Sequence, residues 1–259
     1  MSGLRFYPAS HRYKLDGQWV PGVTTILGVL DKPAIPKWAA QQVAEFVADN
    51  PQTVEGLRDM GRGPMVQALK GIPWEKRDKA GTRGNLLHDY AEALLRGEDV
   101  EVAEEHVPVM ESALAFMSAW HIEPLLIEAS VASREHRWAG TLDLIARYRR
   151  PDTGEAGIGI FDWKSGKALY PEFAWQLAAY AHGEFYGLNG DEHPLPEVTA
   201  SFGVQIRADD YDVAPLAFGR HIYDEFLTIR AAFDVVKTGR GNWQVPGSGH
   251  LGLLIQRSA

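Results

Sequence analysis

The segment FDWKSG, residues 161–166, places an acid and a lysine two positions apart, on either side of a tryptophan. Side chains alternate between the two faces of a β-strand, so Asp162 and Lys164 share one face and Trp163 points to the other. A carboxylate and an ammonium on one face can form a surface salt bridge or take part in a metal site. The D-x-K spacing is common and leaves both interpretations open, so the surrounding sequence has to decide between them.

A second acid precedes this segment in an apolar stretch. Asp143 ends the sequence Gly140-Thr141-Leu142-Asp143, where a charge is costly unless it is paired or bound to a metal. Two facing carboxylates also repel each other, a conflict that a divalent cation removes. Mg²⁺ prefers oxygen ligands and keeps several waters, one of which can attack a phosphate. These residues favour metal-assisted phosphodiester cleavage, in which Lys164 orients or deprotonates the water or neutralises charge on the phosphate.

A third aspartate competes for the role of the first acid. Asp152 follows Pro151 and gives the literal pair PD ahead of the DWK motif. The tetrapeptide P-D-T-G is, however, typical of a turn in which the aspartate hydrogen-bonds its own backbone. We therefore predict that Asp143, and not Asp152, belongs to the site.

The composition limits the kinds of site and partner. The chain has 259 residues, 45% of them hydrophobic, which is enough to bury a full core and fits one large domain or one domain with a sizeable insertion. It has no cysteine, which excludes disulfides, thiolate zinc sites and iron–sulfur clusters. No apolar run reaches the length of about 18 residues that spans a bilayer, and the amino terminus lacks a signal-like core. We expect a soluble, cytoplasmic protein with no membrane partner.

The charges are unevenly distributed along the chain. The formal net charge of −8 argues against a protein that coats nucleic acid through bulk charge. Residues 58–83 nevertheless carry seven basic and three acidic side chains, whereas residues 89–105 carry seven acidic and one basic. Such runs form either solvated helix faces or binding surfaces. The sequence predicts an electrically two-sided molecule.

The first third of the chain reads as a hairpin followed by helices. An Asp16-Gly17 pair between two short runs of β-forming residues predicts a two-residue turn, and Pro36 suits the start of a helix. Several glycines and Pro73 interrupt residues 55–80, which predicts short helices joined by mobile loops. A stronger helix follows over residues 81–97, with an apolar stripe and a terminal glycine.

The pattern changes to strands after residue 123. A helix is expected over residues 171–187, further strands follow it, and a last helix begins at His221. Helices, then three to five strands, then helices again predict an α/β fold with a helical N-terminal extension. We place the hairpin and the partly basic extension in residues 1–80 and the core in residues 81–259.

Three motifs follow one another in a characteristic order: G-x-x-D ending at Asp143, D-W-K starting at Asp162, and Q-x-x-x-Y from Gln176 to Tyr180. Together they resemble the motifs of the RecB-like branch of the PD-(D/E)XK nuclease superfamily. Upstream, GTRGNLLH is similar to the helix that carries this branch's metal-binding histidine. PGVTTIL, near the amino terminus, resembles a segment of phage-encoded and mitochondrial single-strand DNA exonucleases. The resemblance covers roughly residues 20–185.

The resemblance implies a restriction-endonuclease-like core, with a central mixed β-sheet flanked by helices. It implies one or two Mg²⁺ or Mn²⁺ ions and no iron–sulfur cluster. The implied ligands are Asp143, Asp162, His88 and the backbone carbonyl of Trp163, with Lys164 as the catalytic lysine. Glu128, on the first strand, is implied as a further ligand or as a residue that supports one.

The implied substrate-binding residues are six side chains spread over three segments: Gln176 and Tyr180, Thr24 and Thr25, and Lys79 and Arg83. Several of them have ordinary alternatives. Taken alone, His88 is typical of a histidine on the polar face of a helix. Gln176 and Tyr180 can be residues that pack one helix against its neighbours. Thr24 and Thr25 can cap a helix or belong to a strand. The chain has no G-x-x-x-x-G-K-[ST] motif, so nothing suggests a nucleotide-driven motor in it.

These observations predict a Mg²⁺- or Mn²⁺-dependent DNA exonuclease that prefers single-stranded ends. The basic region ahead of the core can form an arch over the site, with Trp74 able to stack on bases. A structure-specific endonuclease would use the same residues, and a non-catalytic DNA-binding subunit would keep only the fold. A recombinase or a single-strand-binding protein is the expected protein partner, and the host cytoplasm is the expected location if the chain is phage-encoded.

Overall fold

The chain begins with a small antiparallel sheet in the computed structural model, which describes residues 3–164 and 169–242, without the side chains of 79, 80, 83, 85 and 238–242. Its strands are β1 (Leu4–Tyr7), β2 (Arg12–Leu15) and β3 (Gln18–Val20). The predicted turn joins β2 to β3, with φ values of +50° at Asp16 and +78° at Gly17. Both central residues of a type I′ turn need positive φ, so this hairpin prediction is confirmed.

Four helices follow: α1 (Val23–Leu27), α2 (Ala34–Asp49), α3 (Pro51–Asp59) and α4 (Arg62–Arg96). Pro36 lies in the first turn of α2, as predicted. Gly97 ends α4 with φ of +70°, a left-handed cap that glycine adopts at little cost.

The prediction of short helices joined by loops over residues 55–80 was wrong. Residues 62–96 form one helix of 35 residues, which continues through Gly71 and Pro73. A proline inside a helix costs about 3 kcal/mol, because it removes one hydrogen bond and clashes with the preceding turn. α4 packs against α2, α3 and α5, and this tertiary support outweighs the local preference. The helix also runs across position 80, so the proposed division at that point stays a prediction.

The rest of the described chain builds the main sheet and its covering helices. In chain order the elements are α5 (Val107–Ala119), β4 (Glu123–Ser133), β5 (Trp138–Arg149), β6 (Ala156–Lys164), α6 (Glu172–Ala181), β7 (Phe185–Leu188), β8 (Asp191–His193), β9 (Ala200–Ile206), β10 (Tyr211–Pro215) and α7 (Arg220–Asn242). The helix predicted over residues 171–187 ends earlier, at Ala181, and its last residues form β7 instead. β7 and β8 pair with each other as a short hairpin, which sequence patterning missed because each strand is so short.

The main sheet has seven strands in the order β10-β9-β6-β5-β4-β7-β8. The pairing of β6 with β9 is parallel and the other pairings are antiparallel, so the sheet is mixed. One hydrophobic cluster joins the sheet to α1, α6 and α7, and a second joins the opposite face to α4 and α5. The chain therefore has an α/β fold with a large mixed sheet flanked by helices. Among the described residues, no helix is long and apolar enough to cross a membrane.

Candidate metal centre

The candidate site lies where β5 and β6 separate. Their antiparallel ladder stops at the pair Leu144 and Phe161. Beyond it, the backbone N–H of Trp163 donates a 2.8 Å hydrogen bond to Asp143 Oδ2, and Asp162 pairs with Gly203 of β9. The Asp143 carboxylate thus takes the place of a backbone partner and bridges the two strands. The predicted antiparallel hairpin is confirmed, and it opens at the level of the two acids.

The backbone is irregular at the same level on the neighbouring strand. Glu128 has a φ of +47°, inside a strand, and it is missing from a β4–β5 register whose pairs continue on both sides. A non-glycine residue in this region costs about 1–3 kcal/mol and persists only where the surroundings enforce it. On β5, Leu142 and Leu144 join different hydrophobic clusters, so the regular alternation of faces also breaks at Asp143.

Three side chains from three elements meet at this irregularity. His88 of α4 places Nδ1 3.5 Å from Asp143 Oδ2 and 3.7 Å from Glu128 Oε1. One ligand atom from each of the three lies within 4.8 Å of the others, a spacing that can hold one metal ion. The structure therefore brings together His88, Asp143 and Glu128.

The close approach of the three side chains changes the pKa values of Asp143 and His88. Burial raises the pKa of Asp143 to about 7, with a further contribution from the negative charge of Asp162. Burial lowers the pKa of His88, but the adjoining carboxylates of Glu128 and Asp143 outweigh it and raise the value to about 9. Without a metal, the imidazole is therefore cationic at neutral pH and balances part of the negative charge.

The two carboxylate oxygens of Asp162 have partners outside the group of His88, Glu128 and Asp143. It is 1% exposed, and its Oδ1 accepts a 3.1 Å hydrogen bond from Gln176 Nε2. Its Oδ2 forms an ion pair with the Lys164 ammonium, and no neutral donor among the described residues reaches that oxygen. Asp162 is not part of the three-residue group, but its negative charge acts on Asp143.

The two residues of the Q-x-x-x-Y motif support Asp162 from α6. Gln176 Nε2 also lies 3.5 Å from the Tyr180 hydroxyl, and both side chains are buried. The Tyr180 ring packs on Gly140, where an added Cβ would lie 2.5 Å from the ring. Burial keeps the pKa of Tyr180 well above its ordinary value, so its hydroxyl stays protonated. The glycine and tyrosine of two separate motifs are thus in direct contact.

The lysine has one further contact. Lys164 Nζ lies 4.6 Å above the centre of the Phe173 ring, on α6. The amine is therefore held between the Asp162 carboxylate and an aromatic face, with its side chain 19% exposed. Its backbone pairs with Gln205 of β9 at the end of β6.

The remaining predicted residues lie elsewhere. Thr24 and Thr25 are on the exposed face of α1, and among the described contacts no hydrogen bond joins them to the acids. Lys79 and Arg83 belong to α4, but their side chains lie outside the described residues. Asp152 is at the tip of the β5–β6 turn, where it pairs with Arg150 and accepts a hydrogen bond from Thr153 N.

Sequence reasoning missed one residue that supports the site. The hydroxyl of Tyr13, on β2, lies 2.9 Å from Thr141 Oγ1, two positions before Asp143. Burial raises the pKa of Tyr13, and the negative charge of Glu128 adds to the rise. Tyr13 and Leu15 are both buried in the structure, in line with the alternation of side chains along β2, but no sequence motif indicated that Tyr13 contacts Thr141.

The resemblance implied the Trp163 carbonyl as a ligand, and strand geometry predicts that it faces β5, as the Trp163 N–H does. The two backbone groups of one strand residue face the same neighbouring strand, and the Trp163 N–H bonds Asp143. The indole lies on the opposite face, in the cluster with Phe116.

The chain matches no protein-family model, and it matches no curated protein.

Proposed function

We propose that this chain is a metal-dependent deoxyribonuclease of the PD-(D/E)XK type, acting as an exonuclease on single-stranded DNA ends. The observation that supports it is the meeting of His88, Glu128 and Asp143 beside the Asp162–Lys164 pair. These five residues come from α4, β4, β5 and β6, so four elements converge on one small volume. The motifs implied Asp143 and Asp162 as the shared metal ligands, whereas the group that can hold an ion here is His88, Glu128 and Asp143, with Asp162 paired to the lysine.

The donor set suits a hard or borderline divalent ion. Two carboxylates and one imidazole fit Mn²⁺ well, and Mg²⁺ less well because it prefers oxygen donors. The buried Asp162 Oδ2, which lacks a neutral donor among the described residues, also suits a nearby positive charge. A bound ion would supply Lewis acidity toward the phosphate and a water activated near neutral pH.

The residues of the chain itself have separable roles in this proposal. Glu128, Asp143 and His88 hold the ion, and the Trp163 N–H keeps the Asp143 carboxylate in place. Gln176 and Tyr180 orient Asp162, which in turn holds the ammonium of Lys164. Lys164 Nζ donates hydrogen bonds to the phosphate oxygens as negative charge develops on them.

The preference for single strands rests on α3 and the first half of α4. The region from Arg58 to Arg83 carries the excess of basic residues, and it leads along α4 toward His88. Within it Trp74 is 50% exposed, with the Arg77 guanidinium 4.8 Å from its ring. Aromatic and arginine side chains in a basic region stack on unpaired bases. An endonuclease of the same fold, or a non-catalytic DNA-binding subunit, is separated from this proposal by experiment.

The decisive experiment compares two lysine variants on end-labelled single-stranded DNA with Mn²⁺ or Mg²⁺. Lys164→Ala should lower the cleavage rate by orders of magnitude, because charge on the phosphate is no longer stabilised, while DNA binding largely survives. Lys32→Ala is the matched control, since Lys32 also forms an ion pair, with Glu172 at 3.3 Å at the start of α6. Equal activity of the two variants would remove Lys164 from the site, and a wild-type protein that binds DNA but never cleaves it would favour the non-catalytic subunit.

A further inference from the structure

The small N-terminal sheet has an outer face that is both basic and aromatic. Side chains alternate along its strands, and the inner set (Leu4, Tyr13, Leu15 and Val20) is buried against the main sheet. The register pairs the outer residues with one another, Arg5 with Lys14, Lys14 with Trp19, and Tyr7 with Arg12. The outer set is therefore Arg5, Tyr7, Arg12, Lys14 and Trp19, and we call it the basic–aromatic face.

The members of this face are stacked on one another. The Arg12 guanidinium lies 4.0 Å from the centre of the Trp19 ring, and Lys14 Nζ lies 4.7 Å from it. The Tyr7 and Trp19 rings are 5.1 Å apart, and Trp19 is 46% exposed. Pairing between strands of a sheet holds two rings and two cations side by side on a rigid support.

The charge of the face is of one sign. Its outward positions carry three cations and no acid, in a chain whose net charge is −8. The nearest turn contains Asp16, but that carboxylate accepts hydrogen bonds from Gly3 N at 3.0 Å and from Arg134 Nε at 2.8 Å. The acid is thereby directed to other partners, and it does not neutralise the face.

The face also has a concave part. A cavity of about 190 Å³ is lined by Gly3, Arg5, Tyr7, Lys14 and Gly17. Cations and an aromatic edge around a shallow depression suit a flat, anionic molecule with a polar backbone. A lipid surface suits it less, since the outward positions include no aliphatic side chain that could enter a bilayer.

We propose that the basic–aromatic face binds single-stranded DNA, outside the cleavage site, through phosphate contacts to its cations and base stacking on Trp19, Tyr7 or the Arg12 guanidinium. The choice of DNA as occupant rests on the proposed nuclease function. The face is attached close to the site, because Ala139 N donates to Pro21 O at 3.1 Å and Tyr13 bonds Thr141. It would hold the strand beyond the bond that is cleaved.

The test measures binding without cleavage. A fluorescein-labelled 20-nucleotide oligo-dT is titrated with the full chain in EDTA, and anisotropy gives the dissociation constant. Trp19→Ala should weaken binding about 5- to 160-fold, the range that loss of one stacked base produces, while Trp19→Phe keeps most of the affinity. In the double variant Arg12→Gln/Lys14→Gln, the slope of log affinity against log salt should become shallower by about 1.4, since each phosphate contact contributes about 0.7.

Arg220→Ala is the matched control, because Arg220 also stacks on a ring, that of Tyr223 at 5.4 Å, but on α7. Circular dichroism confirms that all variants fold, which their outward side chains should allow. Unchanged affinity in the Trp19 and double variants overturns the assignment, and so does binding of wild type to phosphatidylserine vesicles in place of the oligonucleotide. The nuclease proposal is judged separately, by Lys164→Ala cleavage in Mn²⁺, so either can fail alone.

Discussion

Asp143 is the buried carboxylate at the middle of the candidate centre. It is buried, it lies near the negative charge of Asp162, and its carboxylate is held by one backbone N–H and one imidazole. Burial raises its pKa to about 7, so the ionised form is disfavoured in the metal-free protein. An ionised Asp143 lowers the stability of the metal-free protein, so a cation bound beside it should stabilise the folded state.

The first prediction concerns the pH dependence of this cost. A folded-state pKa of about 7, above the ordinary 3.8, means that Asp143 favours the folded state at low pH and loses that contribution as pH rises from about 4 to 7. Each pKa unit corresponds to about 1.4 kcal/mol. In EDTA, the melting temperature of Asp143→Asn minus that of wild type should therefore increase by several degrees between pH 5 and pH 8. A difference that stays flat or decreases would contradict the raised pKa.

The second prediction concerns Gly140, whose motif position is explained by contact with Tyr180. A Cβ at residue 140 would lie 2.5 Å from the Tyr180 ring, so Gly140→Ala must displace that ring. We expect the free energy of unfolding to fall by about 1–3 kcal/mol, the usual cost of overpacking, and the cleavage rate to fall with it. The rate falls because Tyr180 and Gln176 orient Asp162.

The control for Gly140→Ala is Gly56→Ala, in α3, where an added Cβ meets nothing within 4 Å. Denaturant unfolding should show this control to be neutral or more stable by about 0.4–1 kcal/mol, since alanine restricts the unfolded chain. Equal effects of the two alanines on stability and cleavage would mean that the contact with Tyr180 does not matter.

At the scale of elements, the centre joins α4 to β4 and β5, two strands that already pair with each other on both sides of it. α4 meets the sheet at His88, while its apolar residues Leu87 and Ala91 enter the cluster with α5. β4 contributes Glu128 from a strained position, and β5 contributes Asp143 from a break in its pairing. A metal ion at this point would tie a helix to two strands and offset the local backbone strain.

The third prediction follows from this linkage. Mn²⁺ that binds only the folded state stabilises it, by about 2.7 kcal/mol at 100 times the dissociation constant. For a chain of this size the wild-type melting temperature should rise by about 5–10 °C. His88→Ala and Glu128→Gln should each lose most of the rise, because each removes one ligand.

His106→Ala serves as the matched control for these metal titrations. His106 lies 3.6 Å from Glu105 just before α5 and outside the three-residue group, so its loss should leave the Mn²⁺ effect intact. A rise of equal size in His88→Ala would place the metal elsewhere.

The elements show which features local sequence can predict. The Asp16-Gly17 turn and the Gly97 cap were predictable because their φ values are properties of one or two residues. The course of α4 through Gly71 and Pro73 was not, since it depends on packing against α2 and α3. The acids were predicted from motif and spacing, but the positive φ of Glu128 and the bond from Trp163 N to Asp143 arise from how three strands meet. Such arrangements depend on contacts between residues far apart in the chain.

At the scale of the whole molecule, the distribution of charge along α4 and the length of this helix favour one direction of approach for an anionic strand. α4 has 35 residues, about 50 Å of helix, and His88 lies near its C-terminal end. The basic residues occupy α3 and the earlier part of α4, and the acidic run from 89 to 105 follows the site. An anionic strand would therefore be attracted along the first part of α4 and repelled beyond the centre. The basic–aromatic face of the small sheet lies on a separate element attached to β5.

The fourth prediction concerns whether cleavage requires a free end of the DNA strand. If the strand has to enter along α4 before a phosphate reaches Lys164, a circular single strand should be cut at least about tenfold more slowly than the same circle opened once, a difference of about 1.4 kcal/mol in the barrier. Both substrates have the same sequence and length, so only the presence of ends differs, and gel analysis of the products gives the rates. Comparable cutting of the closed circle would mean that the path along α4 is open at the side. The chain would then be an endonuclease, with the same residues performing the hydrolysis.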